Sequence, residues 1–202
     1  MPIVFNILIL IFSVVVHEVA HGWSAYFLGD PTAKLAGRLT LNPLPHLDPI
    51  GSIFLPLLLF ITRSPILFGW AKPVPYNPYN LRAGYWGPAI VALAGPAANL
   101  FLAICFSIII RLTMGMMPVA FLTLAAGIVI INLVLALFNL LPVPPLDGSK
   151  ILFALIPYRY RAIEEALTRY QLFFAILALT VIAPLLMPIV GFLFQLGTGL
   201  SI

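Results

Sequence analysis

Residues 17–21 read His-Glu-Val-Ala-His, and they sit inside an apolar stretch in which Ile7 to Val16 contains one polar side chain, Ser13. Side chains at i and i+4 share one face of a helix. His17 and His21 can therefore grip a single zinc ion, with Glu18 beside it as a general base. Imidazoles and carboxylates are expensive in a hydrocarbon environment, and an ionisable cluster there reads as a functional site by default. The motif constrains the whole chain: whatever folds around it must give two imidazoles and a carboxylate their partners inside an apolar bundle.

The composition suits that environment. Of 202 residues, 62% are hydrophobic and 8% charged, with a mean hydropathy of +1.13. A soluble domain carries about 25% charged residues. The reading is an integral membrane protein with no room for a sizeable soluble domain. A single cysteine, Cys105, excludes an internal disulfide. The formal net charge is +4, but the basic residues are scattered singly. They read as topology signals, and no nucleic-acid partner is expected. No Lys or Arg precedes the first apolar run, so a cleaved signal peptide is not expected.

Four segments reach the ~20 apolar residues that a span needs: Ile3–Leu28, Pro88–Leu112, Met117–Leu141 and Gln171–Leu196. Pro184 and Pro188 predict a kink in the last. A shorter stretch, Ile50–Ile61, fits a re-entrant or interfacial piece. If it does not cross, nine of the ten basic residues, among them Lys34, Arg38, Lys72, Arg82 and Lys150, share one side, with Arg111 opposite. The positive side is cytoplasmic, so the first helix runs inward and His17 falls in its cytoplasmic half. Between the first two spans, Leu35, Leu39 and Leu41 alternate with Arg38, Thr40 and Asn42. That pattern predicts a short strand or hairpin within Ala33–Asp48, closed by Asn42-Pro43. Its edge could take up an extended substrate. Tyr158–Tyr170 reads as an interfacial helix. The expected fold is an all-α polytopic membrane protein of four spans with a short re-entrant β element. It forms one domain over 1–202, with a core over 3–152 and an additional interfacial helix and span over 158–199.

Catalytic zinc takes three protein ligands and leaves a position for water. After His17 and His21, the third is open among Asp147, His46, Asp48 and Asp30. Asp30 and Asp48 look like turn residues, beside Gly29 and Pro49. His46 offers an imidazole, and can instead contact the substrate or a ligand's outer bonds. Asp147 lies just beyond the third span and reaches the depth of His17 from the opposite direction, and Gly148 permits a sharp turn there. Gly95 and Ala98 read as close helix packing. Asn99 can orient a ligand, Asn132 can bond between helices, and Asn139 can hold a substrate carbonyl or oxyanion.

These motifs resemble the site-2 protease family. The matching elements are His17 to His21, Gly37 to Pro43 with His46-Leu47-Asp48-Pro49, Ala71 to Pro75, Ala94-Gly95-Pro96 with Asn99, and Asn139 to Gly148. The match is closest to the small bacterial branch without PDZ or CBS domains. The resemblance implies one zinc ion on His17, His21 and Asp147, with Glu18 activating water. It implies cleavage within or near the membrane segments of single-span proteins or remnant signal peptides. It also implies a bacterial cytoplasmic membrane with the active site toward the cytoplasm. Ser149 departs from the family's usual second glycine, leaving the ligand intact. The competing class is a metal-binding membrane transporter or non-proteolytic scaffold. The intact Glu18 and the lack of a visible internal repeat speak against it.

Overall fold

The computed structural model describes residues 3–54, 58, 61, 71–157, 159 and 161–201. Eight α-helices order the described chain: α1 (Ile3–Phe27), α2 (Thr32–Leu35), α3 (Gly87–Thr113), α4 (Val119–Asn139), α5 (Asp147–Leu155), α6 (Arg161–Arg169), α7 (Gln171–Leu177) and α8 (Ala183–Thr198). A π-helical segment, Ala178–Ile182, joins α7 to α8, so Gln171–Thr198 runs as one helix. Among the described residues, α1, α3, α4 and this last helix are the four long and apolar enough to cross a bilayer. The chain is a multi-pass membrane protein.

The π segment stands just ahead of Pro184. Proline has no N–H, and its ring crowds the carbonyl four residues back, so the ladder widens locally instead of continuing as α-helix. The irregularity that the sequence predicts in the last span therefore begins before its first proline.

α3 is the central element, packed against α1, α4, α5 and α8. On one side, Ala103 and Ile110 of α3 meet Ala125, Val129 and Leu133 of α4 and Val190 and Phe194 of α8. This apolar seam holds the last span to the bundle. On the other side, α1 turns a stripe at four-residue spacing toward α3: Ser13, His17, His21 and Ala25, all buried. The opposite face of α1 exposes Val4, Leu8 and Phe12, as a lipid-facing surface should.

The expected β element is absent: no residue of the described chain forms a strand. Thr32–Leu35 is a helical turn, and Leu44–His46 is a 3-10 turn. The alternation that suggests a strand does not match burial. Leu35 and Leu41 are exposed, whereas Arg38 is buried and donates to the carbonyls of Lys72 (2.6 Å) and Pro73 (3.4 Å). The Asp30 carboxylate accepts from the backbone N–H (3.2 Å) and hydroxyl (2.6 Å) of Thr32, a side-chain turn that leads into the helical turn where the pattern favours extension. In the Ile50–Ile61 stretch, Pro49–Phe54 forms a π-helical turn. Residues 55–70, Arg63 among them, lie outside the described residues except for Leu58 and Ile61. α6 falls within the expected interfacial helix and buries no side chain.

Asp30 also binds the loop ahead of α3. It is fully buried and accepts from Asn77 N–H (2.6 Å) and Asn80 Nδ2 (2.9 Å). Nearby, Arg82 N–H donates to the Leu28 carbonyl (2.7 Å). Burial pushes the Asp30 carboxyl up, but the bonds from Thr32, Asn80 and Asn77 outweigh it and hold it below its ordinary value of 3.8. A depressed folded-state value stabilises the fold above the unfolded value, and that contribution is lost as pH falls through the folded one. We expect Asp30→Ala to cost roughly 2 kcal/mol at neutral pH, since bonds to a charged acceptor are the stronger kind. The gap from wild type should narrow as pH falls below about 4. Thermal unfolding in detergent across pH checks both.

Candidate metal centre

α1 presents His17 and His21 one turn apart, and α5 presents Asp147 from its first position. Asp147 Oδ2 lies 3.1 Å from His17 Nε2 and 3.0 Å from His21 Nε2, and the two Nε2 atoms are 3.0 Å apart. All three residues are buried. Donors at about 2.0–2.1 Å around a tetrahedral zinc sit roughly 3.3 Å from one another, close to the separations here.

The outer bonds of the imidazoles agree with a cation between them. His21 Nδ1 lies 2.7 Å from the Val91 carbonyl, which can only accept. His21 therefore donates from Nδ1 and aims the lone pair of Nε2 inward. His17 Nδ1 lies 2.6 Å from Asn99 Oδ1. Lone pairs and a carboxylate oxygen gathered at 3 Å repel each other in a dry interior unless positive charge sits among them. Among the described residues, His17, His21 and Asp147 are the group of His, Cys, Asp and Glu side chains that could hold a metal ion.

Two glycines make the geometry possible. A Cβ on Gly95 of α3 would lie 2.5 Å from His21 Nε2 and 2.6 Å from His17 Nε2 and Cε1. A Cβ on Gly148 would strike the carbonyls of Leu140 and Leu141. Asp147 is further held by Lys150, whose Nζ donates to Oδ1 at 3.1 Å and also lies 5.8 Å from the centre of the Tyr76 ring. Glu18 is half-buried, and its Oε2 accepts the Val74 N–H at 2.8 Å. That contact orients the carboxylate, which has acceptor positions to spare.

The other sequence candidates lie outside the triad. His46 is buried, and its Nε2 donates to the Thr40 carbonyl (2.9 Å). Asp48 Oδ1 accepts from the N–H groups of Ile50 and Gly51, which is turn chemistry. Asp30 serves the loop clamp. Asn139 donates to the Leu135 carbonyl of its own helix (3.0 Å). Asn99 is the polar candidate that touches a triad member. Sequence alone gives Gly95 to helix packing. The structure sets it against the triad itself, and its place in a small-residue run of α3 is the available signal. Val74 acts through its backbone, which leaves no trace in residue type.

The sequence profile of peptidase family M50 matches residues 113–182. The chain is 41% identical over 165 residues to the candidate zinc metalloprotease YwhC of Bacillus subtilis, covering 77% of this chain and 71% of that one. It is also similar to the candidate zinc metalloproteases Rip2 of Mycolicibacterium smegmatis and of Mycobacterium tuberculosis strain H37Rv. The first is 36% identical over 139 residues (67% of this chain, 51% of that one). The second is 32% identical over 155 residues (76% and 58%). The chain belongs to peptidase family M50, the site-2 proteases. It is thus a zinc metalloprotease built on four apolar helices, and the triad supplies a donor set that zinc accepts. The chain spans little more than half the length of the mycobacterial relatives. No solved structure matches it significantly.

Gly95→Ala should be mildly favourable to an isolated helix, by about 1 kcal/mol. Here the added methyl collides with both imidazoles. We expect zinc affinity to fall at least tenfold, on the order of an outer-shell lesion, while the protein still purifies as a folded helical species. Zinc per chain after dialysis, alongside circular dichroism, checks this.

Proposed function

We propose that this protein is an intramembrane endopeptidase that cuts peptide bonds within or near the membrane segments of single-span proteins or remnant signal peptides. In this reading His17, His21 and Asp147 hold one zinc ion and Glu18 is the general base. The observation that carries it is the buried meeting of three metal-ligating groups on helices whose outer faces are fit for lipid.

When bound, zinc would supply a Lewis acid that makes water nucleophilic near neutral pH. The Glu18 carboxylate would take a proton from the attacking water and give it to the leaving amine. The Val74 N–H fixes the carboxylate for this task. The Val91 carbonyl and the Asn99 amide keep both imidazoles turned inward. Lys150 does the same for Asp147 through the second carboxylate oxygen. Asn139 uses one N–H on Leu135, and its amide has a second for a substrate carbonyl or the developing oxyanion. A peptide bond in a transmembrane helix is shielded by its own hydrogen-bonded ladder, so the substrate unwinds locally before attack.

The charge asymmetry supports a site open to the cytoplasm. Lys34, Arg38, Lys72, Arg82 and Lys150 belong to the loops and short helices on the side of α1's C-terminus, and Arg111 lies near the far end of α3. A bacterial cytoplasmic membrane is the setting this implies.

The test is cleavage of model single-span substrates by purified protein in detergent, with products mapped by mass spectrometry. Wild type should cut within the substrate's membrane segment, and a zinc chelator should stop it. Glu18→Gln should keep its zinc and lose at least ~100-fold in rate, the low end for removing a general base. Wild-type rates in that variant would remove Glu18 from the chemistry. No cut by zinc-loaded wild type across several substrates would favour a transporter or scaffold.

A further inference from the structure

Behind the metal centre, a chain of buried amides crosses three helices. Asn99 of α3 lies against His17, and its Nδ2 donates to Asn132 Oδ1 of α4 (2.8 Å) and to the Ser13 carbonyl of α1 (3.2 Å). Asn132 Nδ2 in turn donates to Ser13 Oγ (2.9 Å) and to the Ile128 carbonyl (2.9 Å). Asn99, Asn132 and Ser13 are all essentially inaccessible to solvent.

The direction of this chain is fixed by groups that cannot reverse. The Ile128 and Ser13 carbonyls are obligate acceptors. Ile128 forces the Asn132 amide to turn its NH2 away from Asn99 and its oxygen toward it. Ser13 and the Asn132 oxygen together force Asn99 to turn its NH2 toward them. The Asn99 oxygen must then face His17, so His17 Nδ1 carries the proton and Nε2 keeps its lone pair. Reversing any amide would set oxygen against oxygen, in surroundings where an unpaired polar group costs several kcal/mol.

We propose that Asn132 and Ser13, two residues outside the triad, are positioning residues that set the tautomer of His17 through Asn99. The inference rests on the reading of His17 as a metal ligand and adds to it the source of that ligand's orientation. It gives Asn132 a task beyond joining α3 to α4. An interhelical hydrogen bond in a membrane contributes little adhesion on average, and a bond that served adhesion alone would not need this polarity.

The chain has three histidines, so the ring nitrogens of 15N-histidine-labelled, zinc-free protein in micelles can be resolved by NMR at a pH where the imidazoles are neutral. Wild-type His17 should carry its proton on Nδ1. Finding it on Nε2 would overturn the proposal with no variant needed. Asn132→Leu should move His17 toward a mixture of tautomers and weaken zinc binding about tenfold, measured by chelator competition. Ser107→Ala removes a buried hydroxyl of α3 outside this chain and should change neither readout. An unchanged His17 tautomer and zinc affinity in folded Asn132→Leu would reduce Asn132 to a packing contact. Failure of the metal reading itself shows separately: His17→Ala would then bind zinc as wild type does.

Discussion

A polar group in an apolar bundle must find a protein partner, because neither lipid nor bulk water will supply one. α1 imposes that demand on the rest of the molecule. Its inward stripe carries Ser13, His17 and His21, and each is met from another helix: Asn132 from α4, Asn99 from α3, the Val91 carbonyl from the first turns of α3, and Asp147 from α5. α3 can come this close because it offers Gly95 where a side chain would collide. The helix order around the site follows from satisfying donors and acceptors, and the apolar seam with the last span packs the far side of α3.

The loops continue the same accounting outside the spans. Arg38 holds the backbone of Lys72 and Pro73, the His46 carbonyl takes the Lys72 N–H, Val74 reaches Glu18, and Asp30 takes Asn77 and Asn80. The segment from Ala71 to Asn77 is thereby laid along the C-terminal half of α1 without helix or strand, ahead of the 3-10 turn Pro78–Asn80, with its donors largely used by the chain itself. It orients the Glu18 carboxylate through the Val74 N–H without any strand pairing.

The sequence made some of this legible for definite reasons. Long apolar runs identify spans because length against bilayer thickness is a one-dimensional property. The i, i+4 histidines reveal one face of one helix. The approach of Asp147 to His17 and His21 follows from running α1 and α4 in the same direction, with α3 antiparallel between them, an argument from topology that needs no side-chain detail. The strand within Ala33–Asp48 misled because alternation over a few residues is weak, and the Asp30–Thr32 turn with the buried Arg38 competed with it successfully. Gly95, Val74 and the amide chain were hidden for another reason. A missing side chain, a backbone N–H and a direction of hydrogen bonding are relations between segments distant in sequence, and residue type alone does not encode them.

The central claim is that His17, His21 and Asp147 share one zinc ion, and X-ray absorption at the zinc edge of the purified protein tests it most directly. The account predicts a four-coordinate shell of nitrogen and oxygen at about 2.0–2.1 Å with two imidazoles and no sulfur, and loss of that signature in Asp147→Ala. A wild-type spectrum from folded Asp147→Ala, or a shell with a different number of imidazoles, would contradict it.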